Sequence, residues 1–379
     1  MRKILLATTA LAAFAGFSSA ANAQITVTLG GYTEFFGAIY DNNVVGGTDR
    51  EFQIEAEIVV KADGKADNGL LYGTKVELQT TGTGANGAAT NGVNTDEASV
   101  YIAGFWGRVE LGDFDGASDT LAIYAPLVGV EGIDGDYADF ITNTPAGSTL
   151  EIGRQPWGGI IKNPDSSDAT KVMYLTPRFA GFQAGFSYTP ENGDEAQSVV
   201  GTKNTSGYSD FLEYGINYTG DFSGVTVAAS ATGTSGNGKG FTSAANPALK
   251  DFSAWQVGAQ IGYAGFKIGG GYVDADNFNV RTGTDSGDQH AWNAGASYTT
   301  GPIAVGLSYA DAEGYKRAPG TYADQYQVYG VSGAYTLAPG LLLQSDLMFV
   351  DEELKATAAS TAKRDSDSYV WLISTRVNF

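Results

Sequence analysis

From Glu51 to Lys61 the chain alternates: Phe52, Ile54, Ala56, Ile58 and Val60 share one parity, and Glu51, Gln53, Glu55, Glu57 and Lys61 share the other. A period of two marks an extended strand whose faces meet different surroundings. A water-soluble core does not need so many ionisable or amide groups on one inner face. The apolar face must therefore meet lipid or a second sheet, and the polar face must meet water.

Sixteen segments read this way, near 25–40, 51–62, 70–80, 95–105, 107–113, 171–178, 182–189, 211–219, 224–232, 252–263, 265–274, 288–299, 302–310, 326–336, 341–350 and 368–379. Their connections alternate strictly between short (61–68, 105–107, 179–181, 219–223, 264–265, 300–301, 337–340) and long (41–50, 81–94, 114–170, 190–210, 233–251, 275–287, 311–325, 351–367). That alternation predicts an up-and-down antiparallel sheet of even strand number with both termini on the short-turn side, the build of a bacterial outer-membrane barrel. A β-sandwich more often mixes its loop lengths and carries Greek-key crossings. Tyr188, Tyr218, Tyr263, Tyr272, Tyr298, Tyr309 and Tyr335 fall near strand ends, which suits aromatic girdles at two membrane interfaces.

Arg2 and Lys3, an apolar stretch from Ile4 to Phe17 and the terminal Ala21-Asn22-Ala23 predict a secretory signal over 1–23 and a mature barrel over 24–379. The apolar stretch is too short for a membrane anchor, and beyond it no run of about 18 apolar residues offers a transmembrane helix. There is no cysteine, so no disulfide contributes. The chain has 22 bases against 42 acids, a charge of −20; without Arg2 and Lys3 it is 20 against 42, or −22. Such a surface repels nucleic acid and attracts cations. With aromatics at 12%, the chain does not have the composition of an acidic disordered segment.

The closing strand carries Tyr369, Trp371, Ile373, Thr375, Val377 and Phe379 on one face and Val370, Leu372, Ser374, Arg376 and Asn378 on the other. Together with the Leu29-Gly-Gly-Tyr-Thr33 opening and the Ala98–Gly112 strand pair, this resembles the general diffusion porins of the Gram-negative outer membrane, most of all the alphaproteobacterial type. Thr375 departs from the apolar residue usual there. The resemblance implies a 16-stranded antiparallel transmembrane β-barrel in the cell outer membrane. It further implies a homotrimer, a third loop folded into the lumen, neighbours of lipid and lipopolysaccharide, and an assembly machinery that reads Phe379 and Trp371.

The third long connection, 114–170, is also the longest, and we call it L3. From Asp113 to Thr170 there are ten acids against Arg154 and Lys162, around an apolar centre, Leu121–Val130, that suits packing rather than disorder. Sixteen strands enclose a lumen too wide for side chains to fill, so an inserted segment would narrow it. Glu131, Asp134, Asp136 and Asp139 are the expected acidic side of the constriction, with a merely solvated loop face as the alternative. Strand parity turns Lys61, Lys75 and Arg108 inward as the expected basic side. Ion pairing with Glu55, Glu57, Glu77 or Glu110 is an equal reading for them. Asp134-x-Asp136 offers oxygen ligands of the kind calcium takes, without EF-hand order; no cofactor is otherwise required.

An enzyme is not expected. The single histidine, His290, shares parity with Trp292, Ala294 and Tyr298 on the presumed lipid face, and Gly82-Thr-Gly84 precedes no helix. The expected function is passive diffusion of small hydrophilic solutes and ions through a cation-preferring channel. One alternative is a sugar-selective channel with an aromatic track from Tyr101, Tyr124 and Trp157. The other is a secreted calcium-binding β-sandwich adhesin.

Overall fold

Sixteen strands close into one antiparallel barrel in this computed structural model, each strand hydrogen-bonded to its sequence neighbours and β1 (Thr26–Asp41) to β16 (Arg364–Asn378). The structure describes residues 25–41, 48–81, 92–141, 161–192, 207–240, 248–283, 287–314, 324–354 and 364–379. The proposed signal segment, Gly82–Gly84 and Trp157 lie outside them. Sheet closure excludes the β-sandwich alternative, because among the described residues there is no second sheet for an apolar face to pack on. Among the described residues no helix is long and apolar enough to cross a membrane; the crossing is made by strands, which leave no unpaired edge in lipid.

Parity decides which face is which. On β2 (Arg50–Lys65), Phe52, Ile54 and Ile58 are exposed, Phe52 at 77%, while Glu57 and Val59 between or beside them are buried. The same alternation puts Trp255, Val257 and Ile261 of β10 (Phe252–Tyr263) outside and Gln256 inside. On β16, Tyr369, Trp371, Ile373, Val377 and Phe379 point out and Val370, Leu372, Ser374 and Arg376 point in. An outer surface this apolar is a lipid-facing one. His290 on β12 (Asp288–Thr300) keeps the outward parity of Trp292, with Glu313 at 4.0 Å.

Turn chemistry explains the short connections. At Ser223-Gly224, between β8 (Tyr208–Phe222) and β9 (Val225–Gly238), both residues have positive φ, 57° and 89°. That pair matches the type I′ turn, whose twist fits a two-residue hairpin.

The apolar core lies inside the barrel, between part of L3 and the inner wall. Ile133, Tyr137, Phe140, Ile141 and Ile161 of L3 pack with inward Phe36 and Tyr40 of β1, Tyr326 and Val328 of β14 (Gln325–Ala338), Met348 and Val350 of β15 (Leu341–Leu354), and Val370 and Leu372 of β16. Fully burying an apolar side chain of this size is worth about 1.5–3 kcal/mol. The tip of L3 is therefore held largely by its apolar residues.

Candidate functional site

The described parts of L3 have little regular structure: a helical turn α1 at Ala117–Leu121 and 3-10 turns at Gly132–Asp134 and Asp136–Phe140. A segment like this leaves most of its backbone groups without partners, and buried ones must find them elsewhere. The barrel wall supplies them from inward-facing side chains on strand after strand.

At the root, Glu213 of β8 is buried and accepts four hydrogen bonds. Ser118 donates from N (3.2 Å) and Oγ (2.8 Å) to Oε2, and Ser166 donates from N (3.0 Å) and Oγ (2.5 Å) to Oε1. One carboxylate thus ties the outgoing and returning legs together. Beside it, Lys171 of β6 (Thr170–Leu175) donates from Nζ to the carbonyls of Phe114 and Ser167.

Further along, Ser230 Oγ on β9 accepts from Ile123 N at 2.8 Å, and Asn293 Oδ1 on β12 accepts from Ala125 N at 2.9 Å. Gln256 on β10 serves both legs: its amide donates to Ile123 O at 3.4 Å on the outgoing leg and to Ile161 O at 3.0 Å on the returning one, where its carbonyl also accepts from Asn163 N at 3.1 Å. Asp346 on β15, with 0% exposure, accepts from Gly132 N at 3.0 Å. The described parts of L3 thus follow the inner wall from β6 through β15, and Phe140 reaches Tyr40 of β1, ring centroids 5.4 Å apart. Gly129, at φ +78°, lies so close to this carboxylate that a Cβ would stand 1.9 Å from Asp346 Oδ1.

A buried charge group sits between the two legs. Lys162 Nζ lies 2.9 Å from Asp119 Oδ1 and 3.8 Å from Asp165 Oδ2. Burial alone would lower the lysine, but Asp119, Asp165, Asp134 and Asp115 hold it well above its ordinary value. Burial, with Asp119 adjacent, pushes the Asp115 carboxyl well above the usual aspartate range. Burial raises the Tyr124 and Tyr137 hydroxyls.

Of the expected acidic set, Glu131, Asp134 and Asp136 are half-buried and Asp139 is exposed, within or next to the 3-10 turns of the L3 tip. Glu131 and Asp134 line a cavity of about 730 Å³ beneath the apolar run.

The expected basic set lies on the wall of β2 to β5, which the described parts of L3 do not follow. Lys75 of β3 (Leu71–Thr81) is bridged by Glu77 at 3.1 Å and by Glu97 of β4 (Gly92–Gly104). Arg108 of β5 (Gly107–Asp113) donates from Nε to Glu110 Oε2 at 2.8 Å and lies 3.8 Å over the Tyr101 ring. Lys61, paired in register with Lys75, makes no ion pair among the described residues. Tyr101 donates to Asp63 Oδ1 at 2.5 Å. Glu57, Glu77 and Asp96 bring carboxylate oxygens within 4.8 Å of one another; among the described residues this is the one such group of three, and Asp134 and Asp136 are not in it.

Sequence reasoning passed over the wall residues that hold L3, above all Glu213, Gln256, Asn293 and Asp346. Inward parity was their available signal. It also passed over Lys267 of β11 (Phe266–Asp276), whose neighbours Phe266 and Ile268 are exposed on the lipid face.

A sequence profile of the family described as Gram-negative porin matches residues 7–354. Curated relatives include uncharacterized proteins of Rickettsia felis, 30% identical over 233 residues covering 57% of this chain and 48% of the relative, and of Rickettsia prowazekii, 30% identical over 206 residues covering 50% and 42%. The chain thus spans about half or less of the length of the curated relatives it matches. Among solved structures, an anion-selective porin from Comamonas acidovorans aligns with a TM-score of 0.63 at 18% identity, over 94% of this chain and 100% of that one. OmpT of Vibrio cholerae, in its trimer form, aligns with 0.61 at 14%, over 94% and 99%. A variant of the Rhodopseudomonas blastica porin aligns with 0.54 at 19%, over 93% and 100%. At such identities the likeness shows the fold.

Proposed function

Because the chain belongs to the Gram-negative porin family, we propose that this outer-membrane β-barrel is a passive, water-filled, cation-preferring channel for small hydrophilic solutes and ions, assembled as a homotrimer and narrowed by L3. Ion preference cannot be taken from the fold, since a neighbour of the same fold is named anion-selective. It rests on one observation: carboxylates dominate both sides of the lumen. Glu131, Asp134, Asp136 and Asp139 stand on the L3 tip. On the wall of β2 to β5, Glu55, Glu57, Glu77, Glu97 and Glu110 outnumber Lys61, Lys75 and Arg108, two of which are already paired. Carboxylate-lined constrictions favour cations.

The sugar-selective reading draws less support. Tyr101 is tied to Asp63 and covered by Arg108, so its ring does not offer a free stacking platform. The homotrimer part of the proposal is supported by the trimer form named for OmpT, a structure of the same fold. Lipopolysaccharide contact, recognition of Phe379 and Trp371 by the assembly machinery, and calcium at Asp134 and Asp136 are secondary parts of this proposal.

The test is planar-bilayer conductance with reversal potential under a salt gradient. Cation preference that falls clearly when Asp134, Asp136 and Asp139 are changed together to Asn supports the reading. Unaltered conductance and permeability ratio in that triple variant would show that the tip acids do not set selectivity.

A further inference from the structure

The cavity beneath L3 has carboxylates on one wall and an ammonium on the other. Tyr124, Glu131 and Asp134 line it from L3; Gln260, Thr226 and Lys267 line it from the barrel wall. Its volume, about 730 Å³, lies within the range of small-molecule sites, about 300–1,000 Å³. A second space of about 420 Å³ shares Thr226, Gln260, Gly262 and Lys267, so the lysine stands where the two meet.

Lys267, like Lys61, differs from the inward bases that a carboxylate holds. Lys75, Arg108 and Arg376 are each engaged by a carboxylate, whereas Lys267 makes no ion pair among the described residues. The L3 side is fixed in place, because Gln260 donates from Nε2 to Tyr124 O at 2.6 Å. Small wall residues, Gly262, Ala304 and Ala334, keep the space open.

A simple cation entering this cavity is drawn to Glu131 and Asp134 but repelled by Lys267, and a simple anion meets the reverse. A molecule carrying both charges satisfies both walls, and discrimination of this kind comes as much from the repulsions as from the attractions. We propose that the cavity is a transit subsite for small zwitterions, free α-amino acids and short peptides, with the carboxylate at Lys267 and the ammonium at Glu131 and Asp134. The proposal rests on the pore reading and adds a solute class to it.

The experiment uses the full-length protein reconstituted in a planar bilayer, with alanyl-alanine as probe. Its N-acetyl derivative, an anion, and its amide, a cation, serve as controls. Saturable block of the ion current by alanyl-alanine is expected, with half-block at least tenfold lower in concentration than for either control. Lys267→Gln should weaken block by alanyl-alanine about tenfold while leaving block by the amide unchanged or stronger. Equal block by all three probes, or an unchanged half-block concentration in Lys267→Gln, overturns the subsite. Channels that open but are never blocked by the dipeptide overturn it alone, whereas a protein that forms no channels overturns the pore reading and the subsite together.

Discussion

Glu213→Gln isolates how the two legs of L3 are held. In the native protein the carboxylate accepts from Ser118 N and Oγ at one oxygen and from Ser166 N and Oγ at the other. An ionised carboxylate is acceptor-only, which matches four donors. A glutamine keeps one acceptor oxygen and turns an NH₂ toward the other leg. The serine hydroxyl there can rotate to accept, but the backbone N–H cannot, and it is left buried without a partner. Such an orphan costs about 1–3 kcal/mol. Since 1.4 kcal/mol is tenfold, local opening should become about 5- to 150-fold more frequent. Hydrogen exchange at Ser118 and Ser166 reads this directly. The expected result is faster exchange at one of the two amides, with strand amides unchanged and open-channel current noisier. Protection at both amides within twofold of the parent protein would refute the clamp. An equal loss of protection over all strands would also refute it, because that is global destabilisation rather than release of a leg.

Gly129→Ala should loosen the L3 tip by about 1–3 kcal/mol, because the new Cβ meets Asp346 Oδ1 and the φ of +78° disfavours a side chain; faster exchange at Gly132 N with a preserved thermal melt of the barrel checks it. The Asp115 and Lys162 groups both have folded-state pKa values above their ordinary ones, so each contributes stability that is complete below its ordinary value and lost as pH rises through the raised one. Protection of L3 root amides, corrected for intrinsic exchange, should therefore decline from the ordinary aspartate range upward, and Asp115→Asn should flatten the first part of that decline. Deleting Phe379, which exchanges backbone hydrogen bonds with Gly31 at 3.0 and 3.1 Å, should lower the yield of assembled barrel; yield equal to that of the intact chain would rule out a part in closure.

The barrel was legible because lipid on one side and water on the other impose period-two parity on the strands, and Phe52 to Ile58 obey it, with apolar Val59 at an inward position as the exception. The strict alternation of short and long connections then fixed the topology. What could not be read was pairing at a distance. Glu213 lies 95 residues from Ser118, and Asp346 lies 214 from Gly132; nothing local to either marks the other. Parity turns Lys75 and Arg108 inward beside Glu77 and Glu110, which do pair with them, but it does not show that Glu97 of the next strand holds Lys75 as well. Lys267 shows the reverse case, a base whose facing is plain from Phe266 and Ile268 and whose lack of an ion pair among the described residues emerges only in three dimensions.

The path of L3 is encoded on the wall as well as in the loop. Ser230, Gln256, Asn293 and Asp346 are short polar side chains set at inward positions on separate strands, and each meets a backbone group of L3 rather than one of its side chains. A net hydrogen bond is worth about 0.5–1.5 kcal/mol, so four such contacts together hold the path without demanding particular loop residues. The loop's own sequence enters through its apolar anchors, Ile133, Tyr137 and Phe140, and at glycines such as Gly129, where the backbone must approach the wall closely. A single wall substitution at Gln256, which holds both legs, should shift the aperture while leaving every lumen charge in place.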